Sequence, residues 1–461
     1  MMKKLAQFAQ RLTQTAVLWM WVNNALRLGT GILLLAIVVP RFSDTELLIY
    51  TVLWSVYAFV VIVDNTVGAN MIRFFAYAMG GATNLKALGV DFEHRDKEPN
   101  YDLIWGLMRA SQRIYGAFGV GVFFFILALG SFNLYTPVAA AQEPLVAWSA
   151  LGLTALAAGL EVFFGWWLAA LRGINHVAQA SRFAAIAQGI KLTLAALLLL
   201  LDLGLLAVPI ASLVSGVTFR ILARIACLKV LPEENPKACP LTSRDLIQRI
   251  LPMCWRVGAV LISRNLSTAM LFHLAGKLPT AQGLSFTFSH MLLTFVASVS
   301  ITWTQVKWPL INRYRSEGAF EAMRTALFPR IWLQGLNLFF GAIAVALVAP
   351  PALAWIAPEK SILPTALFLL LGANFLLETM FSFWTSLLMA DNRLPSLWPT
   401  VIHYGLIIVA AFLAVSWKGF GVAALVWAPL AVGLLFNYWY WSFAGARFLK
   451  TNLFRYLTTG K

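Results

Sequence analysis

The chain has 461 residues, of which 60% are hydrophobic and only 12% are charged, and its formal net charge is +16 at neutral pH. A typical soluble domain has about half apolar and about a quarter charged residues, so this composition excludes a soluble globular protein and indicates one that lies in a membrane. A strong positive charge is also typical of proteins that bind nucleic acids, and the distribution of the basic residues along the chain tests this possibility.

Apolar runs long enough to cross a bilayer recur along the whole chain. A transmembrane helix needs about 20 consecutive, mostly apolar residues, whereas transmembrane β-strands would alternate polar and apolar residues, which these runs do not. The sequence therefore predicts an all-α integral membrane protein with twelve transmembrane helices. Only Asp202 and Gly204 separate the fifth span from the sixth. The predicted spans are residues 15–39, 46–72, 103–129, 146–170, 182–201, 205–226, 251–273, 282–308, 331–349, 363–389, 398–416 and 420–443.

Lysine and arginine are unevenly distributed between the two sides of the membrane that an even number of spans defines. The loops and tails on one side hold 21 of the 35 basic residues, whereas those on the other side hold four, namely Arg41, Lys277, Lys360 and Lys418. The positive-inside rule assigns the basic side to the cytoplasm, so both termini are predicted to be cytoplasmic. Topology thus accounts for most of the basicity, and we predict no nucleic-acid partner.

The two halves of the chain are related in sequence. The segment LEVFFGWWLAALRGIN at 160–175 matches LETMFSFWTSLLMADN at 377–392 at six of sixteen positions with an offset of 217, and Glu161 aligns with Glu378. Six helices repeated in one orientation form a parallel repeat, and transporters built this way bind their substrate in a cavity between the halves. The predicted domains are an N-terminal six-helix lobe at 1–226, a cytoplasmic Pro-rich linker at 227–250 and a C-terminal six-helix lobe at 251–461.

Three local stretches resemble the polysaccharide flippase branch of the MOP (multidrug, oligosaccharidyl-lipid, polysaccharide) superfamily. They are NMIRFFAYAMGGA at 70–82, ALRGINHVAQASR at 170–182 and LGLLAVPIASLVSG at 203–216. The twelve-helix layout is similar as well. The resemblance implies a transporter that flips an undecaprenyl-pyrophosphate-linked oligosaccharide or polysaccharide precursor to the outer leaflet by alternating access. It also implies a bacterial inner membrane location, an anionic lipid-linked glycan as substrate, contact with membrane lipids, and a glycan polymerase or glycosyltransferases as partners.

Basic and polar residues within the spans are candidates for substrate binding, because a charge near the middle of a bilayer is unfavourable. At about 1.5 Å per residue, Arg27 lies about 18 Å into span one and Arg264 about 20 Å into span seven, at nearly equivalent positions of the repeat. Both are predicted to hold the pyrophosphate in a central cavity, because a guanidinium binds two phosphate oxygens at once. A structural role on backbone carbonyls is the alternative. The other predicted substrate contacts are Arg113, Arg220, Arg256, Asn23, Asn24 and Asn265.

The acidic residues within the spans are candidates for ion coupling or ion pairing. Glu161 and Lys191 lie at equal depth on consecutive helices, which predicts an ion pair that offsets the unfavourable burial of both charges. Glu378 has no such neighbour, because apolar residues around Ile408 occupy its depth on span eleven. It is therefore either protonated or facing an arginine across the bundle. Asp64 lies close enough to the cytoplasmic end to pair with an arginine there or to meet water.

The chain shows no pattern typical of an enzyme or a metalloprotein. Cys227, Cys239 and Cys254 lack the paired CxxC spacing of a zinc site, and no Gly-rich phosphate loop or HExxH sequence occurs, so we predict no catalysis, metal or cofactor. Two other functions stay open. A cation-coupled multidrug exporter of the same superfamily shares the architecture, although the spans contain ten basic and only four acidic residues. A membrane-embedded glycan polymerase or ligase would need a large external loop, which the predicted topology lacks.

Overall fold

The computed structural model describes residues 16–38, 41–57, 59–89, 98–139, 143–232, 241–275, 277–356, 361–416 and 420–460. The regular structure in these ranges is helical, without a β-strand. Ten helices among the described residues are long and apolar enough to cross a membrane. Helix α1 (Ala16–Val38) lies at the first predicted span, and helices α2 (Asp44–Tyr57) and α3 (Phe59–Met79) together lie at the second. The predicted all-α membrane fold is confirmed.

The first compact unit comprises residues 1–87 and 91–254. Helices α4 and α5 approach closely in it, because a Cβ atom on Gly119 would lie 2.8 Å from the carbonyl oxygen of Gly159. Small residues at such a crossing allow two backbones to pack at short range. The helices of this unit are α1 (Ala16–Val38), α2 (Asp44–Tyr57), α3 (Phe59–Met79), α4 (Tyr101–Ala139), α5 (Pro144–Phe163), α6 (Trp166–Gly173), α7 (Val177–Leu200), α8 (Ala207–Val230) and the first part of α9 (Ser243–Ala275).

The predicted boundary between spans five and six is confirmed as a tight turn. Helix α7 ends at Leu200, and a 3-10 turn (Gly204–Leu206) leads into α8. Asp202 and Gly204 both have positive φ, at 58° and 53°. Asp and Gly are among the residues that adopt this left-handed conformation most readily, which explains why a two-residue interruption is enough to reverse the chain.

The second compact unit comprises residues 88–90 and 255–461. Its described core contains two apolar clusters, one around Phe286, Leu293 and Phe368 and the other around Leu327 and Tyr456. Its helices are the rest of α9, α10 (Thr280–Gln305), α11 (Trp308–Glu317), α12 (Phe320–Ile356), α13 (Thr365–Met389), α14 (Leu397–Ser416), α15 (Ala423–Leu435), α16 (Asn437–Phe448) and α17 (Leu453–Thr459).

Helix α9 begins inside the segment 227–250 that was predicted as a linker. A capping box starts it, because the Thr242 hydroxyl accepts from the backbone N–H of Asp245 at 3.2 Å while the Asp245 carboxylate accepts from the N–H of Thr242 at 3.1 Å. Leu246 and Ile250, four residues apart on one face, are fully buried. The division between the two units falls within the same helix, after Cys254.

Candidate functional site

An ion pair lies inside the first unit, near the end of α5. Oε1 of Glu161 is 3.3 Å from Nη2 of Arg220 on α8, and the two side chains are 26% and 6% exposed. Arg220 also donates to the backbone carbonyl of Glu161, from Nη2 at 2.9 Å and from Nε at 3.2 Å. One arginine therefore binds both the side chain and the main chain of the same glutamate.

The break between α5 and α6 makes this second contact available. In a continuous helix the carbonyl of Glu161 would accept from the N–H of Gly165, four residues on. Gly165 instead donates to the carbonyl of Val162 at 2.8 Å, and α6 starts at Trp166. The Glu161 carbonyl is thereby left for Arg220. Unpaired backbone acceptors at a helix end are normally bound by side chains or water, and here an arginine fills that role.

The predicted ion pair between Glu161 and Lys191 is wrong. The second carboxylate oxygen of Glu161, Oε2, accepts a hydrogen bond from the hydroxyl of Tyr57. The Lys191 ammonium lies over the ring of the same tyrosine, 4.8 Å from its centroid, and 5.6 Å from the centroid of the Trp54 ring. Lys191 lies at this site, as its depth in the membrane predicted. Its ammonium contacts the Tyr57 ring in a cation–π interaction instead of pairing with the carboxylate.

A second half-buried carboxylate lies at the equivalent repeat position in the second unit. Oε1 of Glu378 on α13 is 3.3 Å from Nε of Arg264 on α9, and it accepts a hydrogen bond from the Tyr404 hydroxyl on α14 at 3.1 Å. Of the two alternatives left open for Glu378, the structure shows the arginine. The expectation that it has no partner on span eleven is wrong, because Tyr404 lies one turn before Ile408 on that helix.

Two histidines lie near the Glu378 site. His403 is 2% exposed and packs against the rings of Phe381, Tyr404 and Tyr438 at centroid distances of 6.0, 5.0 and 5.9 Å. Neither ring nitrogen of His403 has a hydrogen-bond partner among the described residues. His290 on α10 is half-buried, with its Nδ1 3.4 Å from the Thr294 hydroxyl. Two histidine rings thus lie close to the Glu378–Tyr404 contact.

The remaining predicted binding residues are not gathered at either carboxylate. Arg27 is exposed on α1, in the first unit, whereas Arg264 belongs to the second. Their shared binding of one ligand stays a prediction. Asn23 and Asn24 are half-buried on α1. The side chain of Asp64 lies outside the described residues.

Three further candidates have identifiable surroundings. Arg113 is exposed on α4. Arg256 is half-buried, with its guanidinium 5.5 Å from the centroid of the Trp255 ring. The side-chain amide of Asn265 donates to the Leu261 carbonyl of its own helix at 2.7 Å, so one of its two N–H donors is already used. The described residues contain no cluster of three or more His, Cys, Asp or Glu that could hold a metal ion.

Sequence reasoning missed the two tyrosines that complete these sites. Tyr57 and Tyr404 each lie within a long apolar span and each donate to a glutamate from a different helix. A phenolic hydroxyl in a hydrocarbon environment needs a hydrogen-bond partner, so a tyrosine far from both span ends is a usable signal for a buried acceptor.

Comparisons with known proteins agree on the fold. No protein-family profile and no curated protein matches the sequence. The backbone is similar to an outward-facing multidrug resistance MATE family transporter of the MOP superfamily, with a TM-score of 0.75, 14% identity, and coverage of 95% of this chain and 97% of that one. The backbone is also similar to a MATE structure in the straight conformation, with a TM-score of 0.75 and 16% identity. That match covers 96% of this chain and 96% of the other.

A third similar structure is a MOP superfamily transporter from Pyrococcus furiosus, described as having a binding pocket of reverse polarity that suggests a different function. Its TM-score is 0.74 at 13% identity, and the match covers 95% of this chain and 96% of that one. At such low identities the similarity establishes architecture rather than activity. This chain therefore has the same fold as these MATE and MOP superfamily transporters.

Proposed function

We propose that this protein is a membrane transporter that gives its substrate access to one side of the membrane and then to the other. The fold supports the proposal, because it matches transporter structures over nearly the whole chain. The paired charges within the spans support it as well, since ionisable residues in transmembrane helices are kept where they serve a transport pathway or a coupling ion.

The substrate that the electrostatics favours is anionic. The observation that carries this step is that Glu161 and Glu378 are both bound by arginines, Arg220 and Arg264. Neither carboxylate is therefore free to bind a cationic drug. With ten basic and four acidic residues in the predicted spans, the surplus charge is positive. A phosphate or pyrophosphate group is the ligand to which arginine is best suited.

In its specific form, the proposal is a flippase for an undecaprenyl-pyrophosphate-linked oligosaccharide or polysaccharide precursor. The chain would lie in a bacterial inner membrane with both termini in the cytoplasm, as the distribution of basic residues favours. Glycosyltransferases would supply its substrate, and a glycan polymerase would use the product. A MOP superfamily pocket of reverse polarity, as described for the transporter from Pyrococcus furiosus, supports a departure from cation export within this fold.

A cation-coupled multidrug exporter is the second candidate, and the structural comparisons favour it over the flippase. Most of the similar structures are named as MATE transporters, one of them as a multidrug resistance protein. In this case the two Glu–Arg pairs would have to open during the cycle to expose a carboxylate. The Arg264–Glu378 pair is the better suited to opening, because its arginine is 45% exposed.

Transport by the purified protein in liposomes decides between the two candidates. One arm measures flipping of a fluorescent polyprenyl-pyrophosphate disaccharide by its accessibility to an external quencher. The other measures export of a cationic dye driven by a proton or sodium gradient. We expect flipping of the lipid and no dye transport, relative to protein-free liposomes. Dye export without lipid flipping would establish the second candidate, and neither activity would contradict both.

A further inference from the structure

The first unit contains a cavity of about 190 Å³ between α5–α6 and α8. A water molecule takes up about 30 Å³ in the liquid, so this cavity has room for a small polar group rather than for a whole drug or sugar chain. It is formed within one unit. The residues that line it include Glu161, Phe164, Gly216, Val217, Arg220, Ile221 and Arg224.

The polar lining of the cavity has unused positive donors. Arg220 is 5% exposed, and its Nη1 has no hydrogen-bond partner among the described residues, although Nη2 and Nε bind Glu161. Arg224 is exposed one turn further along α8, with its guanidinium 5.8 Å from the centroid of the Trp167 ring. Because Glu161 is already bound by Arg220 and Tyr57, the charge of Arg224 is not balanced within the cavity.

The rim of the cavity is apolar and exposed. Phe164, Val217 and Ile221 are 38%, 39% and 52% exposed. A cavity with arginines inside and bare hydrocarbon at its rim matches an amphiphile, in which an anionic group is attached to an apolar chain.

Gly216 makes room in the cavity. A Cβ atom added to this glycine would meet no atom within 4 Å, so it faces open space. Glycine in the middle of a helix is unfavourable for the backbone, and no close helix contact explains it here. The space it leaves lies one turn before Arg220 on the same helix, beside the unpaired donor.

We propose that this cavity binds the phosphate group of an anionic lipid. Nη1 of Arg220 and the guanidinium of Arg224 donate to the phosphate oxygens, and the hydrocarbon chain contacts Phe164, Val217 and Ile221. Glu161 holds Arg220 in position and does not contact the lipid. The inference does not require the bound lipid to be the transported substrate, and it applies equally to a flippase and to a drug exporter.

Native mass spectrometry of the full-length protein in a non-ionic detergent tests the proposal by titration with defined ligands. The probes are dioleoyl phosphatidic acid, dioleoylglycerol with the same chains and no phosphate, oleate, and sodium phosphate alone. We expect phosphatidic acid to bind at least about tenfold more tightly than each of the others. Equal binding of dioleoylglycerol or oleate, or binding of sodium phosphate that phosphatidic acid does not displace, would overturn the proposal.

Two pairs of variants locate the site. Arg224→Gln should weaken phosphatidic acid binding by about tenfold, the effect of losing one charge-assisted hydrogen bond. Arg182→Gln is its control, because Arg182 is also exposed and lies 5.7 Å from the centroid of the Trp19 ring, outside the cavity. Gly216→Leu should block binding by filling the space, whereas Gly152→Leu on α5 should not.

The glycine pair separates a steric effect from an effect on the helix. A Cβ on Gly152 also meets no atom within 4 Å, and Gly152 does not line the cavity, so both substitutions change a helical glycine in open surroundings. Thermal unfolding of each variant verifies that it is folded. Phosphatidic acid affinity that is unchanged in both Arg224→Gln and Gly216→Leu places the lipid elsewhere and rejects the site. This result would leave the transport experiment unaffected.

Discussion

Asn175 and Asn392, 217 positions apart in the chain, both adopt the left-handed backbone conformation, with φ of 71° and 50°. Each follows the helix that ends the repeat segment in its own unit, fourteen residues after Glu161 and Glu378 respectively. Asparagine is one of the few non-glycine residues that adopt this conformation readily. The repeat found in the sequence therefore extends to backbone geometry at both helix ends.

The first prediction concerns this turn. Replacing Asn175 by Ala should lower the free energy of unfolding by about 1 kcal/mol, because a Cβ without a side-chain hydrogen bond is strained at positive φ, whereas Asn175→Gly should be nearly neutral. Thermal unfolding of the purified protein in detergent measures both changes. Asn133→Ala is the control, since Asn133 is exposed inside helix α4. Equal destabilisation by Ala and Gly would show that the conformation does not matter.

The second prediction concerns the Glu161–Arg220 pair. Arg220→Gln should cost about 3 kcal/mol, at the low end for a buried pair, because it leaves a half-buried carboxylate without its cation. Glu161→Gln should cost less, about 1–2 kcal/mol, because Arg220 keeps its two hydrogen bonds to the Glu161 carbonyl. The double variant should be less destabilised than the sum of the single changes, as a double-mutant cycle of unfolding free energies would measure.

A surface pair provides the matched control for this cycle. Arg313 and Glu317 form an i,i+4 pair at 2.7 Å, with side chains 43% and 29% exposed. Arg313→Gln should change stability by less than about 0.5 kcal/mol, because solvent screens exposed charges. If Arg220→Gln were as mild as Arg313→Gln, the pair in the first unit would have no structural role.

The third prediction concerns Glu378, which we expect to take up and release a proton during transport. Protonation would remove its attraction for Arg264 and leave Tyr404 as its remaining partner. Glu378→Gln mimics the protonated state, so transport by this variant should lose its dependence on an ion gradient. Initial rates in liposomes with and without the gradient measure this. A variant that keeps the full gradient dependence would remove Glu378 from the coupling mechanism.

The fourth prediction concerns the two arginines of spans one and seven. Arg27→Ala and Arg264→Ala should abolish transport of an anionic substrate almost completely, while Lys at either position should retain part of it, because lysine keeps the charge but not the bidentate geometry. Membrane levels of each variant are checked separately. Arg264→Ala also leaves Glu378 without its arginine. Arg264→Ala/Glu378→Gln therefore serves as the control that distinguishes lost binding from lost folding.

Normal transport by stably inserted Arg27→Ala and Arg264→Ala proteins would assign both arginines a structural role. If Glu378→Gln restored transport to the Arg264→Ala protein, a structural role would be assigned to Arg264 alone. An intermediate rate with Lys and none with Ala, in proteins present at equal levels, is the expected pattern.

The sequence predicted the helices well because the bilayer imposes one length and one composition on every span. The ends were less predictable. Helix α4 runs to Ala139 instead of ending at 129, and α12 begins at Phe320 instead of 331. Helices continue beyond the hydrocarbon, where polar residues and caps decide their ends, and hydropathy does not detect those signals.

The charged residues within the spans could be identified from the sequence, but most of their partners could not. Depth along a helix can be counted from residue numbers, whereas the direction in which a side chain points around the helix axis depends on packing. The depths of Lys191 and Glu161 correctly predicted that the two residues lie close together, but they did not reveal that Tyr57 contacts both of them. It also missed Arg220, which contacts Glu161 from a helix that is not adjacent in sequence.

The break in the helix after Glu161 makes the arginine–glutamate contact of the first unit different in kind from that of the second. A carbonyl oxygen has no protonation state in the cellular pH range, so the bonds from Arg220 to the Glu161 main chain, freed by Gly165, persist when the carboxylate is neutralised. Among the described residues, the Glu378 carboxylate is the one hydrogen-bond or ion-pair partner of the Arg264 side chain. Loss of the carboxylate charge would therefore leave the arginine side chain of the second unit without its partner, whereas the arginine of the first unit would keep two hydrogen bonds to the main chain.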